Sequence, residues 1–354
     1  MREKIIAICF LIIIFVIPLS TIGKKLISTS DHTFSDSTSV SESVFHDEQE
    51  VNTTDASTFT DYVERFTDDL ILIEDAAKVT HTLAAALSDD AYIDSDQVLA
   101  GKGGWLFYKR ADDGTSLQDY QGISIFSEDT LEKISKSLIQ QRDAFQDRGI
   151  RFAVMIIPNK EIVYEDYMPS TITRISEETR CDILVKYLTD NTDLEIIYPK
   201  EDLINAKYHN QIYYKYDTHW NRIGAHIGVQ SILKKLYGTY QDISDTKIII
   251  ENQNKSGDLA SLINMQEKYC DDTEYSLDIS SYDPKQIVND KLLIIGDSFC
   301  DMMLDDLDYY FEEVYPVGVW SFKMSMLDTY QPDIVIWECV ERYADRLNWI
   351  NLVK

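Results

Sequence analysis

From residue 150 onward, uninterrupted apolar runs of strand length recur: IRFAVMII at 150–157, LEII at 194–197, KLLII at 291–295, EVYPV at 313–317 and DIVIW at 333–337. Between and before them, apolar positions return at helical spacing over Ser127–Arg148, Glu177–Thr189, Asn221–Tyr237 and Phe299–Tyr310. A short run that is apolar on both of its faces suits a strand buried on two sides, and helices alternating with such strands supply the covering layers. The pattern therefore predicts an α/β fold of four or five parallel strands with helices on both faces of the sheet. In sheets of this kind the ligand lies beyond the carboxyl ends of the strands.

The first part of the chain reads differently. Arg2 and Lys4 precede an apolar run from Ile5 to Ile17, and Lys24 and Lys25 follow it. We read residues 1–23 as an uncleaved signal anchor, because the run extended through Ile22 reaches the short end of a bilayer span and no small-residue cleavage site follows. A secreted product, with the segment removed, is the alternative. Residues 24–60 are rich in Ser, Thr, Asp and Glu and poor in residues that form a core, as expected of a flexible stalk. Helical periodicity resumes over 61–87, and a strand-like WLFY follows the glycines of GKGG at 101–104. The expected organisation is an anchor, a stalk and one domain over 61–354.

The 354 residues include 33 Lys and Arg against 61 Asp and Glu, a formal charge of -28, with 44% hydrophobic residues. That apolar fraction supports a substantial core, and the acidity argues against nucleic acid as a partner, since gripping a phosphate backbone needs clustered cations. Cys9 falls in the apolar run. Cys181, Cys270, Cys300 and Cys339 are spaced irregularly, which leaves both two disulfides and four free thiols open and offers no zinc pattern.

Candidate chemistry begins at Gly296-Asp297-Ser298, at the end of KLLIIGDS. A serine on a turn from strand to helix is presented at the sheet edge with its own N–H facing a developing oxyanion. The same residues also suit a serine capping a helix. A serine hydroxyl needs a general base, and the base needs a partner that fixes its tautomer. His32, His46 and His81 fall in the stalk or the early helix. Of His209, His219 and His226, only His219 has a carboxylate, Asp217, two positions away at a helix start. His226 reads as a helix-face residue and His209 as a polar loop residue.

The motifs DTHW (Asp217–Trp220) and IGDSF (Ile295–Phe299) resemble the SGNH-type domain of the alginate O-acetyltransferases and the related DHHW exported proteins. GKGGWLFY, VMIIPNK, SGDLA (256–260) and WECVER (337–342) match in the same order, and the resemblance runs from about residue 60 to 345. It implies a three-layer α/β/α SGNH-hydrolase-like fold in which Ser298 is the nucleophile, His219 the general base and Asp217 its orienter. It further implies an O-acetyltransferase that passes acetyl through an acyl-serine to hydroxyls of a cell-surface or secreted polysaccharide. A multispanning membrane O-acyltransferase would supply the acetyl, and neither metal nor cofactor is required. An acetyl esterase with the same triad and a non-catalytic glycan-binding or assembly protein are the competing readings. Ser298 N–H is one expected oxyanion donor, with Gly257 or Asn159 as the second. Trp220, Trp105 and Tyr108 are candidates for stacking on sugar, and Lys160 and Arg342 for holding a carboxylate or phosphate. Against these stand core packing for the aromatics and a structural Glu338–Arg342 ion pair at helical spacing.

Overall fold

The computed structural model describes Ile93, residues 95–109 and residues 116–348, which fall within one unit. The expected anchor (1–23), the stalk (24–60) and the helix over 61–87 lie outside the described residues, with Cys9, His32, His46 and His81. Among the described residues no helix is long and apolar enough to cross a membrane.

The elements follow in chain order: β1 (Val98–Ala100), β2 (Leu106–Tyr108), α1 (Ser116–Gln121), α2 (Glu128–Gln146), β3 (Arg151–Ile157), α3 (Lys160–Val163), α4 (Arg180–Asn191) and β4 (Glu195–Ile197). After them come α5 (Lys200–Ala206), α6 (Arg222–Tyr237), β5 (Ile248–Lys255), α7 (Asp258–Leu262), β6 (Asp272–Leu277), β7 (Lys291–Gly296), α8 (Leu304–Tyr310), β8 (Glu313–Gly318), α9 (Ser325–Tyr330) and β9 (Ile334–Val340). Five strands form one parallel sheet in the order β4-β3-β9-β7-β8. The pairs β1–β2 and β5–β6 are separate antiparallel ribbons.

The apolar runs explain the central strands, since β3, β7 and β9 are buried along nearly their whole length and feed both faces of the sheet. Ala153, Met155, Ile157, Leu292, Ile294, Ile334 and Ile336 share one core with α6 and α8. Phe152, Val154, Ile156, Leu293, Ile295, Val335 and Trp337 share the other with α2, α4 and α9. This is the three-layer α/β/α arrangement, with the sheet's carboxyl edge left for β7 and β9 to deliver side chains.

The helix ends obey local chemistry. Ser127 caps α2 by accepting the Thr130 N–H, and Asn221 caps α6 by accepting from Ile223 and Gly224. The helix expected from Glu177 begins three residues later, at Arg180, because Thr179 and Asp182 form a reciprocal capping box there. The continuous helix expected over Phe299–Tyr310 is instead a 3-10 turn, Cys300–Met303, followed by α8. Periodicity does not reveal α5, α9 or the β5–β6 ribbon, in which β5 is mostly exposed and β6 half-buried.

Candidate active site

The sequence YKYDTHWN forms a tight loop closed at its base by an antiparallel bridge between Tyr213 and Trp220. Tyr214 N–H donates to the His219 carbonyl at 3.1 Å and Asn221 N–H to that of Ile212 at 2.9 Å. Lys160 reaches into the loop, its Nζ donating to the carbonyls of Tyr214 (2.9 Å), Lys215 (3.2 Å) and Asp217 (2.7 Å). The Lys160 side chain is buried, and burial pulls its pKa down to about 8. Its ammonium serves the loop backbone, so it is not free to hold a substrate anion.

Within the loop, Oδ1 of Asp217 accepts the His219 N–H at 3.0 Å and stands 2.7 Å from Nδ1 of the imidazole. Nε2 of His219 lies 2.7 Å from Oγ of Ser298. With Nδ1 carrying the proton, the ring donates to Asp217 and leaves Nε2 to accept the Ser298 hydroxyl. Burial opposes the Asp217 charge, but the His219 ring and the N–H groups of Asp258 and His219 outweigh it and hold the carboxyl down to about 2. The arrangement can pass a proton from the Ser298 hydroxyl to an imidazole whose positive charge is already matched by a carboxylate.

Ser298 is exposed, on the turn that follows β7. Two acids shape that turn. Asp297 accepts the N–H groups of Phe299 and Val340, each at 2.9 Å, and donates its own N–H to Oε2 of Glu338 at 3.0 Å. Glu338 is fully buried in β9, and burial, with the Asp297 charge beside it, raises its pKa well above the usual carboxylate range. Gly296 makes room for it, since a Cβ there would stand 2.4 Å from Glu338 Oε2. Among the described residues Ser298 N–H has no hydrogen-bond acceptor.

Phe299 ties nucleophile to base. Its ring lies 4.7 Å from the His219 imidazole, and its carbonyl accepts the Trp220 indole N–H at 3.0 Å. Trp220 is fully buried in the core, which corrects its reading as a sugar contact. Trp105 is likewise buried, with its ring 4.3 Å from that of Tyr164. Tyr108 is half-buried at the end of β2, 5.5 Å from the Arg342 guanidinium. That guanidinium also stands 5.3 Å from the Phe299 ring, and its Nε is buried without a hydrogen-bond partner. No Glu338–Arg342 ion pair forms among the described residues, because 334–340 is a strand and the i,i+4 spacing is not a helical one there.

Gly257 is not at the serine. A Cβ on it would stand 2.3 Å from the Tyr216 carbonyl and 2.7 Å from Asp217 Cβ, which places it at the aspartate end of the Asp217–His219–Ser298 chain. Its close approach lets the next residue act: Asp258 N–H donates to Asp217 Oδ2 at 3.0 Å. The Asp258 carboxylate accepts the Thr218 N–H at 2.8 Å and its hydroxyl at 2.6 Å. Sequence reasoning points to the glycine of SGDLA and passes over the acid beside it, which was the available signal. Asn159 is fully buried at the end of β3, with both amide atoms unpartnered among the described residues and its backbone N–H given to Glu341.

Asp217, His219 and Asp258 bring potential metal-ligating atoms within 4.8 Å of one another. The carboxylate oxygens of both acids already face N–H and O–H donors, the reverse of the environment a cation selects. His226 lies on α6, as its reading as a helix-face residue has it, on the buried face, with Nδ1 2.9 Å from Asp306. Asp306 also takes Arg222 and Tyr282, so this second His–Asp pair is a closed structural network. His209 is exposed.

Residues 98–296 match the family model described as the SGNH hydrolase-like domain of acetyltransferase AlgX, a span that takes in Asp217 and His219 and stops two residues short of Ser298. The chain belongs to the SGNH hydrolase-like AlgX family. A DHHW family protein from Eubacterium siraeum superposes with a TM-score of 0.53 at 12% identity, covering 74% of this chain and 98% of its own. Bacillus cereus PatB1 does so with a TM-score of 0.50 at 14% identity, covering 73% and 98%. At such identities these likenesses establish the fold alone. Among curated proteins no match was found. The AlgX family membership makes acetyl transfer the activity expected at family level.

Proposed function

We propose that this protein is a serine-dependent O-acetyltransferase that moves acetyl to hydroxyls of a polysaccharide outside the cytoplasmic membrane. The observation that carries this reading is the unbroken chain from Asp217 through His219 to Ser298, with contacts of 2.7 Å on both sides of the imidazole.

In the first half-reaction Ser298 Oγ attacks the acyl carbon of an acetyl donor while His219 Nε2 takes the hydroxyl proton. The tetrahedral oxyanion is received by Ser298 N–H and by the Asn159 amide, whose buried Nδ2 has no other partner. Collapse expels the leaving group, which takes the proton from His219, and leaves acetyl on Ser298. In the second half a sugar hydroxyl gives its proton to His219 and attacks the acetyl carbon, and collapse returns the proton to Ser298. In this reading Arg342, whose guanidinium stands between Phe299 and Tyr108, faces the acceptor. The acidic chain bears the anchor read from Ile5–Ile17, which would place the domain on the outer face of the membrane, with a membrane O-acyltransferase as the acetyl source.

The test uses the full chain in detergent with an acetyl ester, with and without an oligosaccharide acceptor, and follows acetate, acetylated sugar and the mass of the Ser298 peptide. Acetyl-Ser298 that decays faster with acceptor, and is absent from Ser298→Ala, is the expected result. Acetate release unaffected by acceptor would leave an esterase. Full activity in Ser298→Ala would overturn the serine assignment, and no turnover by the natural chain, with or without acceptor, would leave a binding protein.

A further inference from the structure

Strands β7 and β8 run parallel and pair Gly296 with Gly318, so the chain leaves both at the same level of the sheet. Two residues beyond the first glycine is Ser298, and two beyond the second is Trp320. Val319 N–H still donates to the Gly296 carbonyl, at 3.3 Å, so the two loops begin as hydrogen-bonded neighbours. Even with every intervening link straight, the Cα atoms of Ser298 and Trp320 are no more than about 20 Å apart. That span is a few sugar rings.

Trp320 is 72% exposed, in contrast to Trp105, Trp220 and Trp337, which are buried. Its position is nevertheless built. The Arg346 guanidinium stands 6.0 Å from its ring and 3.7 Å from that of Tyr343, and Arg342 stands 5.2 Å from Tyr343 and 5.3 Å from Phe299. Rings and guanidinium groups thus alternate from the residue after the nucleophile out to Trp320, each contact a favourable one. A rigid indole with only two side-chain torsions offers a large contact face at little entropic cost. The C–H face of a pyranose matches such a surface, because its partial positive hydrogens meet the negative face of the ring.

We infer that Trp320, seated by Arg346, is an acceptor subsite that stacks a sugar ring of the polysaccharide a few residues along from the hydroxyl presented to Ser298. The assignment rests on the acetyl-transfer reading and names a residue for its second half-reaction. It predicts that Trp320 serves acceptor binding and leaves acylation of Ser298 untouched.

The experiment uses the full chain in detergent. Ser298→Ala protein is titrated calorimetrically with cellotetraose and with tetragalacturonate, alone and combined with Trp320→Ala or Trp320→Tyr. Binding of at least one tetramer, weakened tenfold or more by Trp320→Ala and within threefold of the parent in Trp320→Tyr, is the expected result. Binding of neither tetramer, or binding indifferent to Trp320→Ala, overturns the inference. In parallel, Trp320→Ala in an otherwise natural chain should turn over 4-nitrophenyl acetate within twofold of the parent. A large loss there would make Trp320 structural and also overturn it. Loss of ester turnover in Ser298→Ala alone tests the acetyl-transfer reading separately, so the two failures are distinguishable.

Discussion

Asp258 braces the Asp217–His219 loop at two neighbouring residues: its carboxylate receives both the N–H and the hydroxyl of Thr218, and its own N–H donates to Asp217 Oδ2 at 3.0 Å. The catalytic loop is therefore fixed by an acid that need never touch substrate. Replacing it with Ala leaves two donors without their charged acceptor, each contact being worth about 1.5–3 kcal/mol. Asp258→Ala is expected to lower kcat about 10- to 100-fold with little change in KM for the acetyl ester, while Asp258→Asn, which keeps one acceptor oxygen, recovers much of the loss. Steady-state kinetics on the three proteins decides. Equal activity in Asp258→Ala would remove Asp258 from the machinery.

Gly257→Ala tests the close approach behind Asp217. The added methyl would press on the Tyr216 carbonyl at 2.3 Å, which is backbone and cannot swing aside. Overpacking of this kind costs about 1–3 kcal/mol, or a few degrees of melting temperature. Activity should fall with stability, whereas a glycine acting only as an oxyanion donor would lose rate with the melting temperature unchanged.

Trp220 and Lys160 are expected to behave as loop supports. Trp220→Phe removes the N–H that meets the Phe299 carbonyl at 3.0 Å, and Lys160→Met strands three carbonyls. Both should lower the melting temperature and kcat, leaving KM for an oligosaccharide acceptor within about twofold. A tenfold rise in that KM would reinstate them as sugar contacts.

Stability should decline with rising pH on account of Glu341. This fully buried carboxyl accepts from Asn159 N–H and the Thr179 hydroxyl, and burial lifts its pKa from 4.5 to about 7. The native state then holds the proton over a range where the unfolded chain has released it. The stabilisation is complete below about pH 4.5 and is lost as the pH rises through about 7, some 3 kcal/mol in all. Lys160 acts with the opposite slope only above about 8, where the native amine gives up its proton before the unfolded one. Melting curves between pH 5 and 7.5 should show the decline and Glu341→Gln should reduce its slope, leaving the part owed to Glu338, whose pKa burial also raises; an identical slope in both would assign it elsewhere.

The hydrophobic pattern carries the sheet because β3, β7 and β9 are apolar on both faces, leaving no competing period to misread. It misses β5 and β6, where apolar residues such as Ile248, Tyr275 and Leu277 are interleaved with polar ones and only partly buried, so that neither a continuous apolar run nor a clean alternation marks the strands. At the site, Asp217, His219 and Ser298 are legible because serine chemistry demands partners and the chain offers few histidines. The supporting residues are not. Lys160 looks like a free cation until its three carbonyl partners are known, and Trp220 looks like a sugar platform until the core closes over it. Asp258 and Glu338 are two acids among 61 Asp and Glu, and only the fold distinguishes them.

Cys181, Cys300 and Cys339 are buried and Cys270 is partly exposed, and none of the four is in a disulfide. Burial keeps the first three thiols protonated and unreactive, their pKa values raised above the ordinary range. Assembly of this core therefore needs no oxidant and can proceed in a reducing compartment as well as an exported one. It also leaves Cys270 as the one partly accessible thiol among the described residues, a ready-made attachment point for a single maleimide dye beside the start of β6.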